Sequence, residues 1–444
     1  MTRRSKVMRT IKWLVLATSF NSIAYVQLAV GQSLDLPTLA ASVVETNPEI
    51  EAQRAAVRAL EARVQTARAG FLPNVEANGL VQRRRLNLVG TTTGDTSFTA
   101  GQAEVTARLR LYDGNRTGNA IDVAKEELEA GRAILAGTIS DVLLDLLRTS
   151  ADVRRDRQVQ LYAQTQFDSI GEQLRATSRR LTFGEATRTD ENQAKARLAT
   201  SRAGILSASE DLSVSSSEFE SVSGHPALEV PELPRLAALP ASLEEAMTIA
   251  LEKSQRLLSS KRTADAARQG VDFARGALAP QVDLVAGYEY LTGGVANLFT
   301  GRLPQDRSAA FGGIELRVPI FQGGREYAEI RRSQALRDQR ISQVGQTQRS
   351  VTYEVMSSWA RWKAAVATID AAGEAVAANE RAAEGVAKEA VGGARTTLDV
   401  LNAQNELLNA RVTLERAVRN EYVARASVLA VIGKLDLQSI ASGN

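Results

Sequence analysis

The sequence predicts an α+β membrane protein that is built as an internal duplication. Three observations predict this. Residues 1–31 have the pattern of an export signal. Two halves of the remaining chain align with each other at an offset of 207 to 209 residues. Each half contains alternating strand patterns followed by unusually long helical patterns.

Residues 1–31 are predicted to be a secretory signal peptide. Five basic residues precede the apolar run WLVLATSF, and the segment ends in AVG, a small-x-small cleavage pattern before Gln32. An uncleaved membrane anchor is the alternative. Asn21 and Gln27 interrupt the apolar run before it reaches the roughly 20 residues of a spanning helix, which favours the signal peptide.

The composition excludes several classes of function. The formal net charge of +3 becomes −2 once the five basic residues of the signal are removed, so we expect no nucleic-acid partner. The chain has no cysteine and one histidine, His225, beside Pro226. We therefore expect no disulfide scaffold, no metal, no cofactor and no catalytic triad. An exported chain without a further apolar helix is expected to be soluble or to cross the outer membrane as β-strands.

A proline-rich segment divides the chain. Four of the ten prolines lie within residues 225–240, which are predicted to be an irregular linker because proline continues neither a helix nor a central strand. The linker separates a first repeat, 32–224, from a second repeat, 241–436, and a C-terminal tail is predicted over 437–444.

Each repeat is predicted to contain a helix, a β-hairpin, a long helix and a shorter helix. Pro73 aligns with Pro280, and these two prolines mark the joints from helix to strand. The first repeat is predicted to have its hairpin at about 73–112, its long helix at about 118–182 and its shorter helix at about 187–223. The corresponding ranges in the second repeat are about 280–321, 325–391 and 396–434.

The predicted strands alternate between apolar and polar residues, so each has one apolar and one wet face. The apolar positions are Ala103, Val105, Ala107, Leu109 and Leu111, then Val282, Leu284, Ala286, Tyr288 and Tyr290, and finally Ile314, Leu316 and Val318. A soluble sheet on a core would alternate in the same way; the export signal and the helical context favour a lipid-facing sheet. Two hairpins are too few to close a barrel of at least about eight strands, so several copies would have to share one.

The stretch LRVPIFQGGREYAEIRR changes from a strand pattern to a helical pattern. Pro319 is predicted to end the strand ladder, and Gly323 and Gly324 supply the permissive backbone of the turn. A phosphate-binding loop is the alternative. The stretch has a weaker copy around Gly114, in which Asn115 replaces the second glycine, and this favours a structural strand-to-helix joint.

The long helical runs exceed 60 residues without proline, which predicts rods of about 100 Å at ~1.5 Å per residue. The shorter helices carry small residues every seven positions, a spacing that keeps one seam against a partner helix. The small residues are Ala194, Ser201, Ala208 and Ser215, and then Ala403, Ala410, Ala417 and Ala424. An ordinary bundle is the alternative, but aromatic residues make up only 5% of the chain, which suits a wall better than a filled core.

Together these features resemble the TolC-like outer-membrane efflux channels. The resemblance rests on the duplication, on AGFLPNV with ALAPQV, on VPIFQGGR with RLYDGNR, and on G-x-x-T-x-x-D in both repeats with LNAQNELLNA. It implies a homotrimeric channel in which each chain gives four strands to a shared twelve-stranded transmembrane β-barrel. The barrel would contact outer-membrane lipid and continue into a long periplasmic α-helical barrel.

The resemblance also implies a function without catalysis. Such a channel is the exit duct of a tripartite efflux pump or type I secretion system and passively conducts drugs, small molecules or secreted protein. Its implied partners are a periplasmic adaptor (membrane fusion) protein and an inner-membrane RND or ABC-type pump. The alternative function is that of a periplasmic coiled-coil adaptor or scaffold. Two hairpins in register with amphipathic strand pairs argue against it, because adaptors usually have one hairpin.

The resemblance places a gate at the two turns between long and shorter helices. It assigns gating links to Thr189 and Asp190 in the first turn and to Arg395 in the second turn. Asp399 would supply a ring of three carboxylates, which concentrates cations around the narrow pore.

The pattern at the gate departs from the family at two positions. Asn402 stands where a second aspartate is found, and Ala390 stands where a tyrosine contributes to the closed state. Helix capping is a further explanation for the two aspartates, because Thr187-x-x-Asp190 and Thr396-x-x-Asp399 are both capping-box patterns.

Overall fold

The computed structural model describes residues 35–86, 96–227, 230–292 and 306–441. The predicted signal peptide and most of both hairpin loops lie outside the described residues. Within the described ranges, no helix combines the length and the apolar character needed to cross a membrane.

The two repeats contain the same elements in the same order. The first repeat comprises α1 (Leu36–Thr46), α2 (Pro48–Arg68), β1 (Asn74–Leu86), β2 (Thr96–Tyr112), α3 (Arg116–Thr182) and α4 (Arg188–Ser223). The second comprises α5 (Leu243–Lys253), α6 (Gln255–Arg275), β3 (Gln281–Thr292), β4 (Arg307–Arg317), α7 (Arg325–Val391), α8 (Thr397–Val431) and α9 (Leu437–Ala441). Pro73 and Pro280 directly precede β1 and β3, and Pro319 follows the end of β4.

The single helix predicted before each hairpin is wrong, because each is a pair of helices. In the first repeat the break is at Asn47, whose side chain accepts hydrogen bonds from the amides of Glu49 and Ile50 at 2.9 and 3.4 Å. Pro48 then occupies the first helical position, where its missing N–H costs nothing. In the second repeat the break is at Ser254, which has φ −59° and ψ 118°. No proline or glycine stands next to Ser254.

The predicted C-terminal tail also contains a helix, α9. The Asp436 side chain accepts a 2.7 Å hydrogen bond from the Ser439 amide, and the Ser439 hydroxyl accepts one from the Asp436 amide at 2.9 Å. Ile440 is fully buried against the main core. Helix α9 is therefore held by a local cap and an apolar anchor.

The four strands form one antiparallel sheet in the order β1-β2-β3-β4, so the central β2–β3 pair joins the two repeats. Leu109 lies opposite Leu284, which in turn lies opposite Ile314, and Val105 lies opposite Tyr288. Opposite residues share a face, so the register gathers the predicted apolar positions on one side of the sheet. That face is exposed in the described structure, which argues against a soluble sheet that covers a core.

The other face of the sheet is polar and carries cross-strand ion pairs. Arg110 contacts Asp283 at 3.4 Å and Arg108 contacts Glu315 at 3.7 Å. The sheet is therefore wet on one side and apolar on the other, as its alternation predicts.

The helices α3 and α7 are 67 residues each, about 100 Å at ~1.5 Å per residue. Helix α3 packs against α2 and α6 and also against α4 and α8, whereas α7 packs against α6 and α8. Glu126 of α3 accepts from Arg262 of α6 at 3.1 Å, and further along α3 Tyr162 donates to Glu415 of α8 at 3.1 Å. Each long helix thus exchanges one set of neighbours for another along its length.

The small residues spaced by seven lie in the packed seams of the shorter helices. Ala194, Ala208 and Ser215 of α4 and Ala417 and Ala424 of α8 are all buried. Helix α4 packs on α3, and α8 packs on α7, along these seams. The small side chains allow the paired helices to approach each other closely.

The main core lies midway along α3. Leu143, Leu146 and Leu147 are fully buried there, and the linker residues Ala227 and Leu236 pack into the same cluster. Burying one such leucine contributes about 1.5–3 kcal/mol. From Val230 onward the segment 225–240 has no helix or strand in its described residues. It nevertheless packs as part of the core.

A buried ion cluster lies beside this core and connects α3 to α8. Asp152 accepts two hydrogen bonds from Arg419 of α8, both 2.8 Å, and a third from Arg155 at 2.6 Å. The Asp152 side chain is 9% exposed, so this network is largely removed from water.

The two strand-to-helix joints have the same backbone conformation. Gly114 and Asn115 have φ of 68° and 64°, and Gly323 and Gly324 have φ of 66° and 80°. At Gly114 the carbonyl oxygen of Gly276, from the other repeat, lies 2.6 Å from the place a Cβ would take. At Gly323 no described atom lies within 4 Å of that place.

Candidate functional site

The first candidate turn lies between α3 and α4. Thr187 donates hydrogen bonds to Asp190 Oδ2 from its amide and from its hydroxyl, both at 2.8 Å. The Asp190 amide donates back to the Thr187 hydroxyl at 3.1 Å. The capping box anticipated from the sequence is therefore formed at the start of α4. Thr189 is exposed in the first turn of the same helix.

The second candidate turn, between α7 and α8, repeats this geometry. Thr396 donates to Asp399 Oδ2 from its amide at 2.9 Å and from its hydroxyl at 2.8 Å, and the Asp399 amide donates back at 3.2 Å. The cap uses one carboxylate oxygen. In the described part of the chain, Asp399 Oδ1 has no hydrogen-bond partner.

These caps keep both carboxyl groups ionised. The Thr187 backbone amide, and after it the Thr187 hydroxyl, lowers the pKa of Asp190, and Thr396 lowers the pKa of Asp399 in the same way. A carboxyl whose folded pKa is lowered stabilises the fold above its ordinary pKa and loses that contribution as pH falls through the lowered value. At neutral pH each turn therefore keeps its cap and its negative charge.

The other candidate residues have partners inside the chain. Arg395 Nε donates to Glu389 Oε2 at 2.9 Å, so it pairs with the last turn of α7. Asn402 Oδ1 accepts a 3.0 Å hydrogen bond from Arg197 Nη2, which connects α8 to α4. No motif in the sequence indicates Arg197 as a functional residue, because its partner lies 205 positions away.

A small apolar cluster supports this connection. Ile170 of α3, Ala194 of α4 and Leu401 of α8 are buried together, with Leu174 and Leu198 packed against them. The cluster brings the first turns of α4 and α8 side by side, so the two turns form one region of the molecule. Among the residues described, no group of three or more histidine, cysteine, aspartate or glutamate side chains is placed to hold a metal ion.

Comparison with known proteins gives the family. Residues 39–225 and 247–434, one range in each repeat, match the family model described as outer membrane efflux protein. The chain belongs to the outer membrane efflux protein family. As a member of this family, the chain is an outer-membrane protein that extends into the periplasm.

Three relatives in the family indicate the breadth of the likeness. The outer membrane efflux protein BepC of Brucella suis is 29% identical over 408 residues, covering 91% of this chain and 87% of that protein. The alkaline protease secretion protein AprF of Pseudomonas aeruginosa is 28% identical over 293 residues, covering 63% of this chain and 58% of AprF. TolC of Escherichia coli is 25% identical over 298 residues, covering 64% of this chain and 59% of TolC.

Solved structures share the fold of the family member described here. CusC superposes with a TM-score of 0.77 at 16% identity, covering 91% of this chain and 95% of CusC. VceC of Vibrio cholerae superposes with a TM-score of 0.74 at 19% identity, covering 89% of this chain and 95% of VceC.

Proposed function

We propose that this protein is the outer-membrane exit duct of a tripartite efflux pump or type I secretion system. Three copies would share a twelve-stranded transmembrane β-barrel, and their helices would form one hollow barrel in the periplasm. Conduction through the duct would be passive. The observation that carries this proposal is a strand-to-helix joint that no other described part of its own chain covers.

The sheet supports a shared barrel. Its outer strands, β1 and β4, each pair with a single neighbour among the described strands, so both edges have free backbone groups. Four strands do not close a barrel, since the smallest transmembrane barrels have about eight. The strands are 11 to 17 residues long. This is long enough for a transmembrane strand, which needs about 9–11 residues to cross a bilayer. The exposed apolar face would then contact lipid.

The unpartnered joint is the second of the two. In the first repeat, Leu111 and Tyr112 precede the joint and are 53% and 52% exposed. Their counterparts at an offset of 209, Ile320 and Phe321, are 93% and 85% exposed. The first joint is partly covered because it packs on the turn at Gly276–Leu278, which follows α6.

The surface that would cover the second joint lies beside β1, at the edge of the sheet opposite β4. Residues Ala69–Phe71 follow α2 as Gly276–Leu278 follow α6, and Phe71 is 53% exposed against 40% for its counterpart Leu278. A second copy that places its Ala69–Phe71 turn on the joint at Gly323 would repeat the internal contact and pair β4 with β1. Such a head-to-tail contact forms a ring when its rotation closes, and a trimer would close it after three copies.

The gate remains a proposal. In a trimer Asp399 would form a ring of three carboxylates, with Oδ1 of each free to face the pore. Asp190 and Thr189 would lie in the matching turn of α4, and Arg395 would link neighbouring turns by exchanging its contact with Glu389. Asn402 would act through Arg197 and hold α8 against α4.

The partners are proposed from the same end of the molecule. Phe183 and Val391, at the two helix turns, are exposed apolar residues and offer a surface for a periplasmic adaptor protein. An inner-membrane RND or ABC-type pump would supply energy. The alternative of a periplasmic adaptor or scaffold is not favoured, because both repeats match the outer membrane efflux protein family.

A planar-bilayer recording tests the duct and the role of Asp399 together. Protein purified from outer membranes is expected to give single-channel conductance. Asp399→Ala is expected to lower the ratio of cation to anion permeability toward unity, because it removes the fixed charge at the narrow pore. A non-conducting protein would refute the duct.

Thr396→Ala is the matched control for Asp399→Ala. It removes the capping hydroxyl but leaves the carboxylate, so cation selectivity should be kept. Equal loss of selectivity in the two variants would return Asp399 to a capping role.

Arg197→Ala is expected to increase channel conductance at neutral pH, because the hydrogen bond that connects α4 to α8 is lost. The stability change should stay within about 1 kcal/mol, since the contact is exposed. Lys195→Ala is the control: Lys195 pairs at 3.0 Å with Glu191 on its own helix and forms no ion pair with another described element. Conductance equal in all three proteins would exclude Arg197 from the gate.

A further inference from the structure

A cavity of about 480 Å³ lies midway along the helices, between α3, α8 and the linker. Its walls come from residues near Arg154 on α3, near Arg235 on the linker and near Tyr422 on α8. The volume falls within the roughly 300–1,000 Å³ of small-molecule sites. Neither of the candidate gate turns contributes to it.

Five arginines line the cavity against two glutamates. Three of these arginines are held by carboxylates. Arg155 binds Asp156 at 2.7 Å, Arg419 binds Asp152 at 2.8 Å, and Arg425 binds Glu421 at 2.8 Å. These charges are compensated by neighbours and hold the walls in place.

The other two arginines, Arg154 on α3 and Arg235 on the linker, are exposed and line the same cavity. In the described part of the chain neither forms an ion pair. The two lining glutamates do not offset them directly, since Glu415 accepts from Tyr162 and Glu421 accepts from Arg425 and from Trp362. Two guanidinium groups thus remain available to an anion.

The Tyr422 hydroxyl provides a third donor. It is buried at the wall of the cavity and has no hydrogen-bond partner among the described residues. Burial raises the pKa of Tyr422, so the group stays protonated and keeps its O–H donor. A buried hydroxyl without an acceptor costs free energy, and an anionic ligand would supply the acceptor.

The remaining wall is apolar. Leu233 and Leu236 of the linker and Val418 of α8 line it. A ligand that fits both halves of this cavity has a charged head and an apolar body.

We propose that this cavity binds a small organic carboxylate. The carboxylate would lie between Arg154, Arg235 and the Tyr422 hydroxyl, and the apolar body would pack on Leu236 and Val418. The site is independent of conduction, so it stands or falls separately from the proposed duct.

The test uses the full-length protein in detergent and follows 4-fluorobenzoate by fluorine NMR. Saturable binding is expected. 4-Fluorobenzyl alcohol, which lacks the charge, should bind markedly more weakly in the same titration. Inorganic phosphate, which lacks the apolar body, should displace 4-fluorobenzoate only weakly. Equal binding of the alcohol would mean apolar partitioning only. Equal competition by phosphate would mean a plain anion site. Either result overturns the proposal.

Three variants locate the site. Arg154→Ala and Arg235→Ala are each expected to weaken 4-fluorobenzoate binding by about tenfold, the effect of losing one charge-assisted hydrogen bond. Tyr422→Phe should also weaken binding while leaving the thermal midpoint unchanged or higher, because its hydroxyl has no partner to lose. Arg416→Ala, on the same helix but outside the cavity, is the control and should bind normally.

Unchanged affinity in Arg154→Ala and Arg235→Ala would refute the assignment. Both side chains are exposed, so both variants are expected to fold, and circular dichroism checks this for each. Arg154→Gln keeps the side-chain stem and removes the charge. It should bind as weakly as Arg154→Ala.

Discussion

Replacing Asp152 with asparagine is expected to lower the free energy of unfolding by about 3 kcal/mol, because Arg419 loses its carboxylate beside the core and Arg155 keeps only Asp156. Asp152 accepts from Arg419 twice at 2.8 Å and from Arg155 at 2.6 Å. The Arg419 contact connects α8 to α3, so its loss should also loosen the packing of the two repeats. Denaturant titration followed by circular dichroism, at equal protein concentrations, measures the change.

Asp122→Asn is the matched control, on the same helix. Asp122 pairs at 3.0 Å with Lys125, one turn away, and both side chains are about half exposed. An exposed pair of this kind contributes less than about 1 kcal/mol. If the two variants lost the same stability, the buried cluster would have no special weight in the fold.

Gly114→Ala is expected to cost about 3 kcal/mol in the free energy of unfolding. A φ of 68° costs an L-residue about 1–2 kcal/mol, and the added methyl group meets the Gly276 carbonyl oxygen at 2.6 Å. Gly184→Ala separates the two causes, because Gly184 has φ 78° and no described atom within 4 Å of its missing Cβ. Gly184→Ala should lower the free energy of unfolding only by the conformational cost of about 1–2 kcal/mol. Thermal unfolding of the three proteins gives the comparison.

Gly323→Ala extends this series to the proposed ring. Within one chain Gly323 resembles Gly184, with positive φ and open space. If a neighbouring copy covers it as Gly276 covers Gly114, the alanine should also shift the trimer toward monomer in analytical ultracentrifugation. A trimer as stable as that of Gly184→Ala would contradict ring closure through this joint.

Much of the fold follows from local patterns. Alternation from Val105 to Leu109 predicts which face of β2 is apolar, and the register then places Leu284 and Ile314 beside it. The start of α2 is visible as Asn47-Pro48. The break at Ser254 is not visible, because ALEKSQRL contains no proline or glycine to interrupt a helix.

The candidate site was less predictable than the fold. The capping boxes of Asp190 and Asp399 follow from a spacing of three residues. The contact of Arg197 with Asn402 depends on how two helices from different repeats pack, and the sequence has no local signal for it. The same is true of Asp152 and Arg419, which are 267 positions apart.

The contact of Gly114 with Gly276 has a consequence for assembly. In the proposed ring, half of the joints form within chains and half form between them. Each bimolecular association costs about 4–15 kcal/mol of lost translational and rotational freedom. A covalent link between two repeats avoids that cost, because it gives each repeat a high effective concentration near the other. An ancestor with a single repeat would need twice as many copies to close the same ring, so duplication lowers the concentration at which a complete duct can form.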